Sequence, residues 1–216
     1  MPAENTQVQA GGRQERQWAS KEMSGDLNAR TVSQYACIMP LPTQIMGILN
    51  VTPDSFSDGG QFVDAAAALA AAQAMVAAGA EIIDVGGEST APGSVEVSAE
   101  EEWRRIGAVV RQMANESISV SVDTWKATIA EQAIAAGASM INDVTGLRGD
   151  PRMWDVVEQS TVPVVAMYSK DASPRTTLEE RVYADPIATI TAFFRQLLRT
   201  AEANGIDPCR FILDPG

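Results

Sequence analysis

The decisive stretch of this sequence is Met46-Gly-Ile-Leu-Asn-Val-Thr-Pro-Asp-Ser-Phe-Ser-Asp-Gly-Gly60. A short apolar run ends at Asn50, and Thr, Pro, Asp, Ser and paired Gly residues follow it directly. This change is typical of a buried strand that ends in a polar, hydrogen-bonding loop. Because the active sites of parallel α/β proteins lie where strands end in this way, the stretch predicts both a strand and a candidate site.

The same alternation of strand and helix continues through the rest of the sequence. Strands are predicted over 45–50, 81–86, 117–123, 139–142, 162–167 and 210–214. Helices are predicted over 64–78, from Ser98 past Met113, over 126–136, after Asp150-Pro151, and from Asp185-Pro186 to about 204. The residues Asp64, Ser98, Asp150 and Asp185 are expected to cap four of these helices. Short apolar strands between amphipathic helices indicate a parallel sheet buried on both faces.

The number of strands leaves two architectures open. Six strands are visible, whereas a closed (β/α)8 barrel has eight, so the pattern fits either an open sheet or about three quarters of a barrel. Residues 1–40 are polar, lack a sustained hydrophobic period and balance acidic against basic side chains. They are expected to form a disordered N-terminal extension, followed by one domain over 41–216.

Composition excludes several kinds of chemistry. The chain has a net charge of −12, which argues against general binding to nucleic acid or anionic membrane. It has no histidine, which excludes a Ser-His-Asp triad, histidine acid–base chemistry and histidine-ligated zinc for these residues. The two cysteines, Cys37 and Cys209, lack metal-type spacing and are expected to be reduced and structural. The sequence has neither an apolar run long enough to cross a membrane nor the apolar core of a secretion signal. A cytoplasmic protein is therefore the default expectation.

Carboxylates and carboxamides follow almost every predicted strand. They are Asn50, Asp84 with Glu88, Asp123, Asn142 with Asp143, and Asp214, joined by Ser169 after the fifth strand. Capping and turn roles explain one or two of these residues, but they explain less well why almost every strand ends in such a residue. On a parallel barrel such positions surround a single pocket. Their oxygens and amides suit a neutral planar heterocycle with amide-like edges, or Mg²⁺.

Five motifs resemble those of dihydropteroate synthases, in the family's order and at plausible spacing. Besides residues 46–60 they are Gly86-Gly-Glu-Ser-Thr-Ala-Pro-Gly93, Ser121-Val-Asp-Thr-Trp-Lys126, Ile141-Asn-Asp-Val-Thr-Gly-Leu147 and Ile212-Leu-Asp-Pro-Gly216. The resemblance implies an α/β protein with a pterin-binding (β/α)8 TIM barrel, of which about six βα units are present and the C-terminal end is truncated. It also implies the condensation of 6-hydroxymethyl-7,8-dihydropterin diphosphate with p-aminobenzoate, giving 7,8-dihydropteroate and pyrophosphate.

The resemblance also implies site residues and partners. Asp123, Asn142 and Asp214 would bind the pterin, and Thr90 and Asp84 would lie near the pterin and its diphosphate. Asn50 would meet a Mg²⁺ cofactor, and Pro92 would lie near p-aminobenzoate. The catalytic loop would contain Asp54, Ser55, Phe56 and Ser57. The implied partners are these small-molecule substrates and, for a full-length protein, a second copy in a homodimer. No nucleic-acid or membrane partner is expected.

Two positions depart from the family pattern, and three other functions remain open. Ala91 stands where the family usually has Arg, and Tyr168 stands where it usually has His; Lys170 and Arg175 are candidates for restoring the positive charge. The substrate-binding motifs that the family has after its last two strands are expected beyond Gly216. The first two alternatives are a methyltetrahydrofolate-dependent corrinoid methyltransferase and a non-catalytic pterin-binding paralogue or fragment. A sugar-phosphate barrel enzyme is a remote third.

Overall fold

The computed structural model describes residues 43–51, 61–91, 93–171, 173–175, 177 and 180–216, the side chains of 61–64 excepted. Three sets of predictions lie outside these residues: the extension over 1–40, the catalytic loop residues Asp54, Ser55, Phe56 and Ser57, and Pro92. Those predictions stay predictions.

Six strands alternate with five α-helices in the described part of the chain, which confirms the predicted order. The strands are β1 Met46–Asn50, β2 Ile82–Gly86, β3 Val120–Asp123, β4 Met140–Asp143, β5 Val164–Met167 and β6 Phe211–Asp214. The helices are α1 Gln61–Ala77, α2 Ala99–Asn115, α3 Ala127–Ala135, α4 Met153–Gln159 and α5 Pro186–Ala203, with a 3-10 turn over Pro208–Arg210.

All six strands belong to one parallel sheet in the order β1-β2-β3-β4-β5-β6. On one face, alternate strand residues such as Ile83, Val85 and Val122 join the main core with helix residues such as Ile106 and Ile129. The opposite face has a small apolar cluster, in which Ile82, Met140 and Val165 pack with Met46. The helices therefore cover one face, and the other face is left to form the inner wall of a barrel.

Two of the four predicted helix caps are confirmed and two are wrong. Ser98 accepts a hydrogen bond from the Glu101 amide at 3.2 Å, and Asp185 accepts one from the Ala188 amide at 2.8 Å. Asp64 lies inside α1, which begins at Gln61, so it does not occupy the N-cap position. Asp150 precedes α4 by three residues, because α4 begins at Met153. Its carboxylate accepts hydrogen bonds from the Arg152 amide at 3.0 Å and, at 3.2 Å, from the amide of Ala127, the first residue of α3.

Each strand begins later than the sequence pattern predicts, four of them by one residue, β5 by two and β3 by three. The segment before β3 still completes the end of α2, since Ser117 has a φ of 60° and the Ile118 amide bonds back to Met113 O at 3.0 Å. Before β5, Pro163 has no amide hydrogen to contribute to the sheet, and the strand begins at Val164. These differences shift element boundaries and leave the strand ends that carry the polar residues in place.

In the part of the chain that the structure describes, none of the helices combines the length and the apolar character that crossing a membrane requires.

Candidate functional site

The predicted strand-end residues lie on the face of the sheet that the helices leave uncovered. In β2 the side chains of Ile83 and Val85 enter the main core, so Asp84 and Gly86 belong to the other face. The parallel register continues this row across neighbouring strands: Asn50 pairs with Gly86, Gly86 with Asp123, and Asp123 with Asn142. Four adjacent strands therefore bring their polar ends to one edge.

A hydrogen bond between two strands that are not neighbours shows that this face is concave. The Asn142 Nδ2 of β4 donates to Asp84 Oδ2 of β2 at 2.9 Å, across β3. Neighbouring strands are about 4.8 Å apart, so the backbones of β2 and β4 would lie about 9.6 Å apart in a flat sheet. Side chains from alternate strands meet in this way inside (β/α)8 barrels, where they share a layer.

The strand register also places Asp214 in the same layer of side chains as Asp84 and Asn142. Asp84 pairs with Ser121 and Ser121 with Met140, so Asn142 lies two residues further along its strand than the register partner of Asp84. A shift of about one residue per strand is the stagger of an eight-stranded barrel. From Asn142 the register passes through Val165 to Ile212, and the same shift of two residues reaches Asp214. By this stagger, Asp84, Asn142 and Asp214 belong to one layer of a barrel wall.

The buried carboxyl group of Asp84 is incompletely paired. Burial raises its pKa, while the Ser121 hydroxyl and the Asn142 amide oppose the shift. Ser121 lies beside Asp84 without closing a hydrogen bond to it: Asp84 Oδ1 and Ser121 Oγ are both buried and have no hydrogen-bond partner among the described residues. Buried polar atoms are nearly always hydrogen-bonded in folded proteins. These two atoms are therefore candidates for binding a polar ligand edge.

Asp123 is the most perturbed carboxyl group of the site. Burial, followed by the negative charges of Asp84, Glu102 and Asp143, raises its pKa to about 8. Below that pH the group is protonated and offers one donor as well as acceptors. Next to it, a Cβ atom at Gly86 would lie 3.4 Å from Asn50 Oδ1 and 3.6 Å from Asp123 Oδ2. The missing side chain at Gly86 therefore leaves room between Asn50 and Asp123.

The oxygen atoms at this edge suit a metal ion that arrives with its ligand. Among the described residues, no three His, Cys, Asp or Glu side chains cluster closely enough to hold a metal ion. Asn50 ends β1 and offers a single amide oxygen. Mg²⁺ is commonly bound by one or two protein oxygens, with phosphate groups and water supplying the rest. The donor set therefore fits a phosphate-borne Mg²⁺ rather than a protein cage.

Thr90 lies half-exposed in the loop after β2, which is closely folded on itself. The Ser94 hydroxyl donates to Ser89 O at 2.6 Å, and the Ser94 amide donates to Ala91 O at 3.1 Å. Ala91, at the position of the family's usual Arg, is exposed in the same loop.

A buried ion-pair cluster beside the site was not predicted from the sequence. Lys126 donates hydrogen bonds to Glu88, to Glu102 Oε2 at 2.6 Å and to the Val97 carbonyl oxygen. The Thr124 hydroxyl donates to Glu102 Oε1 at 2.8 Å. Burial is the main cause that raises the pKa of Glu102, and Lys126 opposes it.

Arg175 and Tyr168 both bind protein groups. The Arg175 guanidinium group pairs with Glu88, so it supplies its charge to that carboxylate and not to the strand-end pocket. The ring of Tyr168 packs edge-on against Phe193 of α5 at a centroid distance of 5.3 Å, and its hydroxyl donates to the Tyr183 hydroxyl at 3.2 Å. Tyr168 therefore packs with the helix layer and the loop before α5.

A separate cavity of about 340 Å³ lies between α3 and α4 on the helix side of the sheet, lined by Thr128, Glu131, Arg152 and Asp155 among others. Its lining includes none of the strand-end residues. The chemistry of the site is therefore assigned to the inner face, where the polar side chains converge.

The staggered parallel sheet, with carboxylates and amides at the carboxyl ends of its strands, defines an α/β-barrel protein whose candidate ligand site lies at that edge. A family model described as "Pterin binding enzyme" matches residues 46–216. The chain belongs to this family of pterin-binding enzymes.

Comparison with individual proteins agrees with the family. The dihydropteroate synthase of Bacillus subtilis is 43% identical over 175 residues, which cover 81% of this chain and 59% of that protein. The structure of the Xanthomonas albilineans dihydropteroate synthase with 4-aminobenzoic acid is similar at a TM-score of 0.71 and 41% identity, covering 80% of this chain and 61% of that one. The structure of the Xanthomonas albilineans enzyme in complex with 7,8-dihydropteroate is similar at a TM-score of 0.67 and 39% identity, covering 80% of this chain and 60% of that one. The chain thus spans about three fifths of the length of these relatives.

Proposed function

We propose that the site serves the reaction of a dihydropteroate synthase. In this reaction the amine of p-aminobenzoate displaces diphosphate from the methylene carbon of 6-hydroxymethyl-7,8-dihydropterin diphosphate, giving 7,8-dihydropteroate and pyrophosphate. The similarity to enzymes of this name and to the complexes with 4-aminobenzoic acid and 7,8-dihydropteroate supports the proposal.

The observation that carries the proposal is the contact between Asn142 and Asp84, with Asp123 beside Asn142 in the register. A pterin ring presents ring N–H, exocyclic amine and carbonyl groups along its edges. Carboxyl groups accept from the N–H and the amine, while an amide side chain offers one donor and one acceptor. The unpaired atoms Asp84 Oδ1 and Ser121 Oγ add hydrogen-bonding capacity that a polar ring edge can use.

The residues of this chain hold and shield the substrates. Asp123, Asn142 and Asp214 hold the ring, while Thr90 and Asp84 line its surroundings. The loop with Asp54, Ser55, Phe56 and Ser57 closes over the reacting centre, and Pro92 belongs to the loop near p-aminobenzoate. Together the two loops exclude water that would otherwise capture the electron-poor methylene carbon. The substitution needs no protein nucleophile, in keeping with a chain that has no histidine.

Mg²⁺ is part of the proposal, with Asn50 as its protein ligand. When bound, the ion supplies positive charge to the departing diphosphate. The proposal also includes a cytoplasmic location, a homodimer and the lack of nucleic-acid and membrane partners. Cell fractionation and light scattering test the location and the oligomeric state.

Calorimetry and product analysis together test the function. The pterin diphosphate is titrated into the chain with Mg²⁺, and product formation is followed after p-aminobenzoate is added. Asn142→Ala is expected to weaken pterin binding at least tenfold, while the matched control Asn115→Ala, at the end of α2, leaves it unchanged. Binding without turnover would favour the non-catalytic pterin-binding alternative. If the parent chain binds no pterin, the proposal is wrong.

A further inference from the structure

We propose that Arg175 is a positioning residue that fastens the loop after β5 onto the loop after β2, through an ion pair with Glu88. We call the described residues of 87–98 the β2 loop and the described residues of 168–185 the β5 loop. The two loops are far apart in sequence, and each follows a strand whose end lies at the edge of the candidate site. Their relative position therefore affects the rim of the site.

The guanidinium group of Arg175 binds the β2 loop at two points. Its Nη2 donates to Glu88 Oε1, and its Nε donates to Ser94 O at 3.0 Å and to Ser94 Oγ at 3.1 Å. Glu88 and Ser94 lie six residues apart, and Thr90 lies between them. The side chain of Arg175 is 19% exposed, so the contact is largely shielded from water. A single planar side chain thus spans the segment that carries Thr90.

Charge balance favours this contact. Glu88 and Glu102 are two buried carboxyl groups that share one buried cation, Lys126. The Lys126 ammonium group has three hydrogens, and it has three acceptors in Glu88, Glu102 and the Val97 carbonyl oxygen. Lys126 therefore has no hydrogen left for Glu88 Oε1. Arg175 binds that oxygen and brings the cluster to two positive and two negative charges, as a buried ionic cluster requires.

Both loops are also held by groups of their own, so that Arg175 joins two supported segments. Arg105 Nη1 donates to Gly87 O at 3.0 Å, which holds the start of the β2 loop against α2. Arg148 Nη2 donates to Ser169 O at 2.7 Å and to Asp171 O at 3.0 Å, which holds the start of the β5 loop. Loss of Arg175 is therefore expected to loosen the contact between the loops and leave the strands in place.

This inference rests on the proposed function for its link to substrate, because Thr90 is a predicted substrate contact. The contact between the loops is a property of the ligand-free protein, so it is tested without any substrate. Failure of the proposed function and failure of this inference are therefore distinguishable.

Hydrogen exchange of the ligand-free chain tests the fastening. Arg175→Met keeps the aliphatic part of the side chain and removes the charge. It is expected to speed amide exchange in peptides covering the β2 loop on the order of tenfold. An effect of this size lies between the stabilisation that exposed ion pairs give and the stabilisation that is lost when a buried ion pair is broken. Peptides from β3 and β4 are expected to be unchanged. Arg175→Lys restores part of the protection, and the control Arg195→Met, an exposed residue of α5, has no effect. Unchanged exchange in Arg175→Met, or an equal rise in β3 and β4, overturns the proposal.

A double-variant cycle tests the charge balance by a second route. Glu88→Gln leaves the cluster with one excess positive charge, Arg175→Met leaves one excess negative charge, and the double variant is neutral. The loss of Tm in the double variant is therefore expected to be smaller than the sum of the two single losses. Additive losses contradict the ion pair. In a chain that turns over, Arg175→Met is also expected to raise the substrate KM by a larger factor than it lowers kcat, whereas a mere loss of folded protein lowers the apparent kcat and leaves KM unchanged.

Discussion

Asn142 of β4 directs its amide nitrogen to Asp84 of β2, with β3 between them. This contact uses the donor side of the Asn142 amide and leaves its Oδ1 as an acceptor for a ligand. It also gives one oxygen of Asp84 a partner, while Asp84 Oδ1 has none among the described residues. The pair therefore presents two acceptors, and it explains why an amide rather than a second carboxylate suits position 142.

Replacing Asn142 by Asp tests this pairing through its pH dependence. At pH 8 two carboxylates would face each other, so Asn142→Asp is expected to be less stable than Asn142→Ala. Near pH 4 a protonated carboxylic acid donates as the amide does, and the order is expected to reverse. The measurement is the denaturant midpoint of both variants at the two pH values. An order that does not depend on pH would show that Asp84 and position 142 do not interact.

The raised pKa of Asp123 predicts that this residue destabilises the protein at neutral pH. The folded-state pKa of about 8 exceeds the unfolded value of about 3.9. Between these values the unfolded chain has lost the proton and the folded chain has kept it, so stability falls by up to about 1.4 kcal/mol per pH unit. Asp123→Asn is therefore expected to raise the free energy of unfolding by a few kcal/mol at pH 7.5 and to have little effect below pH 4.

The control for this comparison is Asp155→Asn, which lies on the outer cavity between α3 and α4. This substitution removes a carboxyl group that lies outside the strand-end site. Urea unfolding at several pH values measures all three proteins. A parent and an Asp123→Asn variant with parallel curves from pH 4 to pH 8 would rule out a raised pKa at Asp123.

The same carboxyl group predicts that pterin binding releases a proton. A ring N–H and an exocyclic amine stabilise the charged carboxylate, so binding lowers the pKa of Asp123. Affinity is therefore expected to rise by up to about tenfold per pH unit from pH 6 towards pH 8, and to level off above it. Calorimetry in buffers of different ionisation enthalpy measures the released proton directly. Asp123→Asn should abolish both the release and this pH dependence; a release that persists belongs to another group.

Alanine substitutions at the adjacent glycines Gly86 and Gly87 are expected to affect different properties, ligand binding at Gly86 and stability at Gly87. At Gly86 the new Cβ would lie 3.4 Å from Asn50 Oδ1 and 3.6 Å from Asp123 Oδ2, which are ordinary contact distances. Gly86→Ala is therefore expected to fold normally and to weaken ligand binding at least tenfold by filling the space between them. At Gly87 the Cβ would lie 2.8 Å from Ile106 and 3.1 Å from Glu102 O. Gly87→Ala is expected to lose about 1–3 kcal/mol of stability through this overlap.

Tm measurements and pterin titrations of the two alanine variants distinguish these effects. Gly86→Ala should separate binding from stability, and Gly87→Ala serves as its matched control. If Gly86→Ala binds the pterin as tightly as the parent does, the space between Asn50 and Asp123 does not belong to the ligand site.

One residue of the ion-pair cluster, Glu102, has a sequence signal that could have predicted a buried charge. Glu102 lies on the apolar stripe of α2 with Ile106, Val109 and Met113, and a charged residue at such a position signals a buried partner. The identity of that partner was not readable, because Lys126 is 24 residues away and belongs to another βα unit. The sequence pattern likewise did not indicate that the Asp150 carboxylate also accepts a hydrogen bond from the Ala127 amide of the preceding helix.

Local hydrophobic periodicity and chain direction are enough to predict the order of strands and helices, the parallel sheet and the polar residue at each strand end. Tertiary structure decided which of these residues meet. The contact of Asn142 with Asp84 depends on the stagger and curvature of the sheet, and the pKa of Asp123 depends on burial and on charges from other strands and from α2. The partners of Lys126 and Arg175 likewise come from segments that are distant in the sequence. Such interactions join residues tens of positions apart, and no local pattern encodes them.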